Sequence, residues 1–155
     1  MNGLFTRAVL AFLALPGAVA FLIPWVVLPH GPFVQALGLI PLGLGVVLLL
    51  WCVRDFYVAG KGTLAPWSPP RHLVVRGLYR YSRNPMYIAV TIVLWGWALG
   101  FRSRAIAIYA LVVMVMFHLR VVLGEEPWLA RTHGAEWVRY RSRVPRWFGL
   151  PRMVR

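Results

Sequence analysis

Residues 71–87 read Arg71-His72-Leu73-Val74-Val75-Arg76-Gly77-Leu78-Tyr79-Arg80-Tyr81-Ser82-Arg83-Asn84-Pro85-Met86-Tyr87, and an apolar run begins where they end. Four arginines and three tyrosines crowd that junction. Both residue types lay an apolar stem along hydrocarbon and keep a polar tip in water, so their heads collect at one membrane surface. By itself such a loop is only an anchor. A second polar cluster, His118, Arg120, Glu125 and Glu126, closes the last apolar run. The two clusters are expected to meet at one face, and that is where chemistry is placed.

The surrounding composition fixes the class. Of 155 residues, 60% are hydrophobic, against about half in an ordinary soluble domain. The chain reads as an all-α integral membrane protein, a single membrane domain over residues 1–155. Its formal charge of +13 comes from 17 Lys+Arg against 4 Asp+Glu. Those cations flank apolar runs instead of lining a soluble face, so anionic membrane lipids are the expected partner and nucleic acid is not. A single cysteine, Cys52, rules out an intramolecular disulfide.

Apolar runs place four spans at about residues 4–28, 33–53, 86–101 and 105–123, each near the roughly 20 residues a bilayer requires. The first is too long for a signal-peptide core of roughly 7–15 residues and is kept as a helix of the mature protein. Pro16-Gly17 and Pro24 are its kink sites. Gly38, Gly43 and Gly45 on the second span would let a neighbouring helix come close. Arg54-Asp55 ends that span as an interfacial stop. Residues 57–85, broken by Gly60, Gly62, Pro66, Pro69 and Pro70, form a cytosolic loop. Its tryptophan, tyrosines and Leu73-Val74-Val75 mark it as a folded cap and not a disordered linker. Arg102-Ser103-Arg104 permits only a tight turn, so the last two spans form a helical hairpin. Pro127 suits the first turn of a C-terminal amphipathic surface helix over about 127–141, followed by a tail to 155.

Charge sets the orientation. The N-terminus, the loop after span two and the tail from Arg120 carry 1, 6 and 8 Lys/Arg, against 0 and 2 in the opposite turns. Both termini are therefore expected in the cytosol, which in a bacterium means the inner membrane. Scattered histidines at 30, 72, 118 and 133 offer no metal-ligand spacing. No nucleophile elbow or phosphate-binding glycine loop is present. Carboxylates are scarce, and two of the four abut a membrane helix end as Glu125-Glu126. Ionisable groups at membrane depth are expensive and usually functional. Adjacent helical residues point roughly 100° apart, so the two glutamates cannot share one task. Asn84-Pro85 reads as a helix start, and its amides with Arg83 make an anion site.

The segment Leu73–Tyr87, followed after one hairpin by His118-Leu119-Arg120-Val121-Val122-Leu123-Gly124-Glu125-Glu126, Leu129, Gly134, Trp137, Tyr140 and Val144-Pro145-Arg146, resembles the isoprenylcysteine carboxyl methyltransferase and phospholipid methyltransferase superfamily. The resemblance spans about residues 60–146. It implies S-adenosylmethionine held at the cytosolic side over the last two spans, enclosed by the loop and the C-terminal helix, with a lipid-like acceptor entering from the bilayer. On that resemblance His72, Val74, Gly77, Tyr79, Arg83, Asn84, Pro85 and Tyr87 line one wall of the cofactor site, and Glu125 and Glu126 the other. Asn84 stands where the family more often has histidine.

Methyl transfer needs donor and acceptor in line, and holding them so is worth up to about 7–11 kcal/mol. A carboxylate acceptor would need Arg146 or Arg120 to orient it; an amine would need a base, for which Glu126 is the candidate. A thiol is also open. The competing reading is a non-catalytic membrane protein that holds anionic headgroups or a partner on its basic cytosolic face.

Overall fold

The computed structural model describes residues 13–55, 58 and 73–149, and these are mainly helical, with no strand among them. Helix α1 (Leu13–Val27) is wound wide, as a π-helix, across Pro16 and Pro24. Each proline lacks the N–H of a regular turn, and the i→i−5 pattern continues to the helix end, where Leu28 N donates to Ile23 O at 3.1 Å. Expectations for residues 4–12 lie outside the described residues.

A 3₁₀ turn, Ala36–Gly38, leads into α2 (Leu39–Asp55). Helix α3 spans Pro85–Phe101 and α4 spans Arg104–Arg120. Between them Arg102 takes the left-handed conformation (φ 49°) and Ser103 caps α4, its hydroxyl accepting from Ile106 N at 3.4 Å. The expected tight hairpin is present. Helices Ala36–Asp55 and Arg104–Arg143 are long and apolar enough to cross a membrane, whereas Pro16–Val27 and Pro85–Phe101 are shorter apolar helices.

Helices α2 and α3 lie closest together because glycines meet across them. A Cβ on Gly96 would stand 2.6 Å from the Leu42 amide nitrogen, and one on Gly45 would stand 2.7 Å from a Val93 methyl. Gly38 shares in this contact, but Gly43 faces open space. Leu49, Ala89, Val90, Val93, Leu94, Ala110 and Val113 fill the centre with Ala20 of α1. At the end away from the 71–87 motif, His30 stacks on Phe101 with centroids 4.2 Å apart, beside Trp25, Phe33 and Trp97.

Two boundaries differ from expectation. The chain does not break after α4: a π turn, Val121–Glu125, carries it straight into α5 (Glu126–Arg143). Helix α5 instead bends at Gly134 (φ 46°, ψ −119°). Part of its apolar side is covered, since Trp137, Tyr140 and Val144 form a buried cluster with Leu73 and Leu129, while Trp128 and Val138 stay exposed. At the other boundary, Arg54 is exposed as a stop residue should be, but Asp55 is buried.

Candidate functional site

The site is built where residues 73–87 are gripped between the end of α2 and the far end of α5. Gly77 opens a short 3₁₀ turn, Gly77–Arg80, in the left-handed conformation (φ 57°). A side chain there would collide with the Asp55 carboxylate, so the position requires glycine twice over. The turn buries Tyr79 against Cys52 and Val74. Burial drives the Tyr79 phenol well above its ordinary range, so it stays neutral. Its carbonyl accepts from the Tyr140 hydroxyl at 2.8 Å, which fastens α5 to the turn.

A second fastening lies a few residues on. Arg83 N donates to Pro145 O at 2.9 Å, while Asn84 Nδ2 and Ser82 Oγ both donate to Arg146 O, at 3.0 and 3.3 Å. The helix-start reading gives Asn84 a side-chain cap on α3. It makes no such bond, because its amide is spent on the tail; Pro85 does start the helix as expected. The tail segment 144–146 therefore lies along residues 82–84.

These fastenings bring the acidic doublet onto the motif. Glu126 Oε1 accepts from Arg83 Nη1 at 2.9 Å and from Arg146 Nε at 2.7 Å, and its Oε2 accepts from Arg146 Nη2 at 2.8 Å. Burial opposes the charge of Glu126, but Arg146 and Arg83 outweigh it and hold the carboxyl below its usual range. Burial also lowers Arg83, against the pull of Glu126. The Arg83 guanidinium lies 5.2 Å from the centroid of the buried Trp137 ring, a cation–π contact. Its Nε is buried and has no hydrogen-bond partner among the described residues.

Glu125 points elsewhere, as adjacent helical residues must. The Tyr87 hydroxyl donates to Glu125 Oε1 in a short bond, and Arg120 Nε donates to both, at 2.9 Å to Glu125 and 3.1 Å to Tyr87. Tyr87 stacks on Phe117 with centroids 4.3 Å apart. The Arg120 side chain is 51% exposed, and its terminal amino groups make no bond among the described residues. Beside it Trp147 stacks on His118 and donates its indole N–H to Nδ1 at 3.3 Å.

Of the residues named from sequence, Tyr79, Arg83, Asn84, Pro85, Tyr87, Arg120, Glu125, Glu126 and Arg146 come together here. Val74 and Gly77 support them from below, Val74 as packing. His72 lies outside the described residues. Sequence reasoning missed Ser82 and Trp147 as contacts, and Asp55 as a buried group. Only Asp55 carried a signal, as the one aspartate in the chain, set at a membrane-helix end.

The phospholipid methyltransferase family matches residues 33–136, two thirds of the chain, and the chain belongs to that family. Membership implies a membrane methyltransferase. No curated protein and no solved structure gives a significant match.

Proposed function

We propose that this member of the phospholipid methyltransferase family uses S-adenosylmethionine to methylate a lipid-like or small amphipathic acceptor at the cytosolic membrane face. In this reading α1, α2, α3 and α4 are four spans, with both termini and the site in the cytosol, as the charge distribution favours. The observation that carries it is the meeting of Arg83, Glu126 and Arg146 with Tyr87, Glu125 and Arg120 around the α3 start, where the family-matched region supplies all but Arg146.

The residues present fit the cofactor. Arg83 Nε is a buried donor lacking an acceptor among the described residues, which suits the carboxylate of an amino acid. Trp137 backs the Arg83 guanidinium, and the stacked Tyr87 and Phe117 rings lie beside Glu125 and Arg120. When bound, the cofactor supplies a methyl group on a positively charged sulfur. Arg83, held by Glu126 and Trp137, fixes where an anion binds. The tail segment 144–146 is fastened over residues 82–84 beside the site. Arg120 presents unspent donors at the half-exposed rim, where they can orient an anionic acceptor. With both oxygens already accepting from arginines and its charge held, Glu126 is the anion that locks the site, and the geometry favours it in this role over that of a base for an amine.

Calorimetry with S-adenosylhomocysteine on the full chain in detergent tests the cofactor. Saturable binding is expected; folded protein that gives no heat at saturating ligand would leave the headgroup-holding alternative. Mass spectrometry of lipid extracts after incubation with isotopically labelled methyl donor would then identify the acceptor.

A further inference from the structure

The arginines of the site go to Glu125 and Glu126, and Asp55 is the carboxylate left over. It ends α2, is 5% exposed, and its Oδ2 is buried with no hydrogen-bond partner among the described residues. Those described residues bring no cation to it: Cys52 lies one turn back on α2, and Tyr79 and Val74 pack on Cys52. A buried carboxylate oxygen without a donor is unfavourable, and such groups persist where a function requires them. The fold makes room for this one. Gly77 is left-handed and lacks the Cβ that would collide with Oδ2, and Gly77 opens the same turn that leads to Arg83.

Two buried polar atoms of opposite kind are thus unspent at the two ends of one segment: the acceptor Asp55 Oδ2 against its start and the donor Arg83 Nε beyond its turn. An amino-acid zwitterion carries one complement to each. Glu126 is committed through both oxygens to Arg83 and Arg146, and Glu125 lies at the part-exposed rim with its Oε1 taken by Tyr87 and Arg120, so among the described residues Asp55 Oδ2 is the buried carboxylate oxygen left without a donor. We propose that Asp55 is a further cofactor-contacting residue that takes the α-ammonium group of the methionyl moiety while Arg83 takes its carboxylate. This assignment rests on the S-adenosylmethionine reading above.

The test compares two probes on the full chain in detergent: S-adenosylhomocysteine, which has the amino-acid moiety, and 5′-methylthioadenosine, which lacks it. Asp55→Asn should weaken S-adenosylhomocysteine roughly 10- to 100-fold, the loss of one charge-assisted hydrogen bond, and leave 5′-methylthioadenosine within about twofold. The variant should also melt at or above the wild-type temperature, because a buried carboxylate oxygen that lacks a donor among the described residues has been replaced by a neutral amide. Equal weakening of both probes would place Asp55 at the nucleoside or in general support of the site, and would overturn the assignment. So would unchanged binding of both, or a variant that melts lower or fails to fold, since Asp55 would then be a structural group with native partners. Wild-type protein that does not bind S-adenosylhomocysteine removes the cofactor reading itself; wild-type binding with an indifferent Asp55→Asn removes only Asp55.

Discussion

Replacing Glu126 by glutamine keeps the length of the side chain and removes the negative charge that Arg83 and Arg146 share. In the wild type that charge accepts three hydrogen bonds, at 2.9, 2.7 and 2.8 Å. Charge-assisted bonds of this kind are worth about 1.5–3 kcal/mol each. The sum is an overestimate for two reasons. Glutamine keeps one acceptor oxygen, and Arg146, 36% exposed, regains water when released. Arg83 has no such recourse, with a side chain 11% exposed, and would hold an unpaired charge near Trp137. The net cost is about 2–4 kcal/mol, which for a chain of this length is about 5–15 °C in melting temperature. Arg146→Gln leaves the Arg83–Glu126 pair and should cost only about 1 kcal/mol. The double variant should cost less than the two singles together, because both act on one network. Melting of the three variants in one detergent, followed by near-ultraviolet circular dichroism, is the assay. Additive effects, or Glu126→Gln melting within about 1 °C of wild type, would refute the claim that this carboxylate locks the tail onto the motif.

The same carboxylate sets an acid limit. Its folded-state pKa is depressed, so its contribution is present above the unfolded value of about 4.3 and is lost as pH falls through the lower folded value. The melting difference between wild type and Glu126→Gln should therefore hold from pH 7 to about pH 5 and shrink below about pH 4; a difference that grows in acid contradicts the sign. Gly77→Ala adds a methyl group where φ is 57° and the Asp55 carboxylate already stands, so a drop exceeding the roughly 1–2 kcal/mol of left-handed strain alone is expected. Pairing it with Asp55→Gly should recover the excess. Tyr140→Phe removes the hydroxyl that donates to the Tyr79 carbonyl and should cost about 0.5–1.5 kcal/mol. Hydrogen exchange of residues 77–82 should accelerate in that variant while the α2–α3 core stays protected.

The helices were legible because apolar run length and the glycine, proline and arginine breaks between runs are local signals. The α3 start at Pro85, the hairpin turn at Arg102-Ser103-Arg104 and the divergence of Glu125 from Glu126 all arise from nearest neighbours along the chain. The features that sequence withheld depend on contacts between distant residues. Asn84 looks like a helix cap until the carbonyl of Arg146 competes for its amide. Trp137 and Tyr140 look like membrane-facing residues until Leu73 and the Tyr79 carbonyl cover them. Asp55 looks like a solvated stop until the turn at Gly77 closes over it.

The unbroken junction after α4 shows how the site is held. Proline has no N–H and its ring presses on the carbonyl four residues back, so Pro127 predicts a break near Leu123. The structure keeps one helix by widening the turn just before the proline, Val121–Glu125, into a π turn. A π turn inserts a residue into the helical register and so rotates the residues C-terminal to it. Glu125 and Glu126 sit at its end, so the rotation sets which way the pair faces relative to α4, with Glu125 on Arg120 and Tyr87 and Glu126 on Arg83 and Arg146. The unbroken junction also makes the first half of α5 a continuation of α4 as far as the bend at Gly134, beyond which the second half carries the tail segment 144–146 to residues 82–84. Pro127→Ala removes the reason for the wide turn. If the turn relaxes to α-helix, residues from Glu126 onward rotate by about 100° for the residue lost, and the Glu126 pairs with Arg83 and Arg146 separate. The expected result is a variant with full helical content and weakened binding of S-adenosylhomocysteine; unchanged binding would show that the bilayer core, and not Pro127, sets the register.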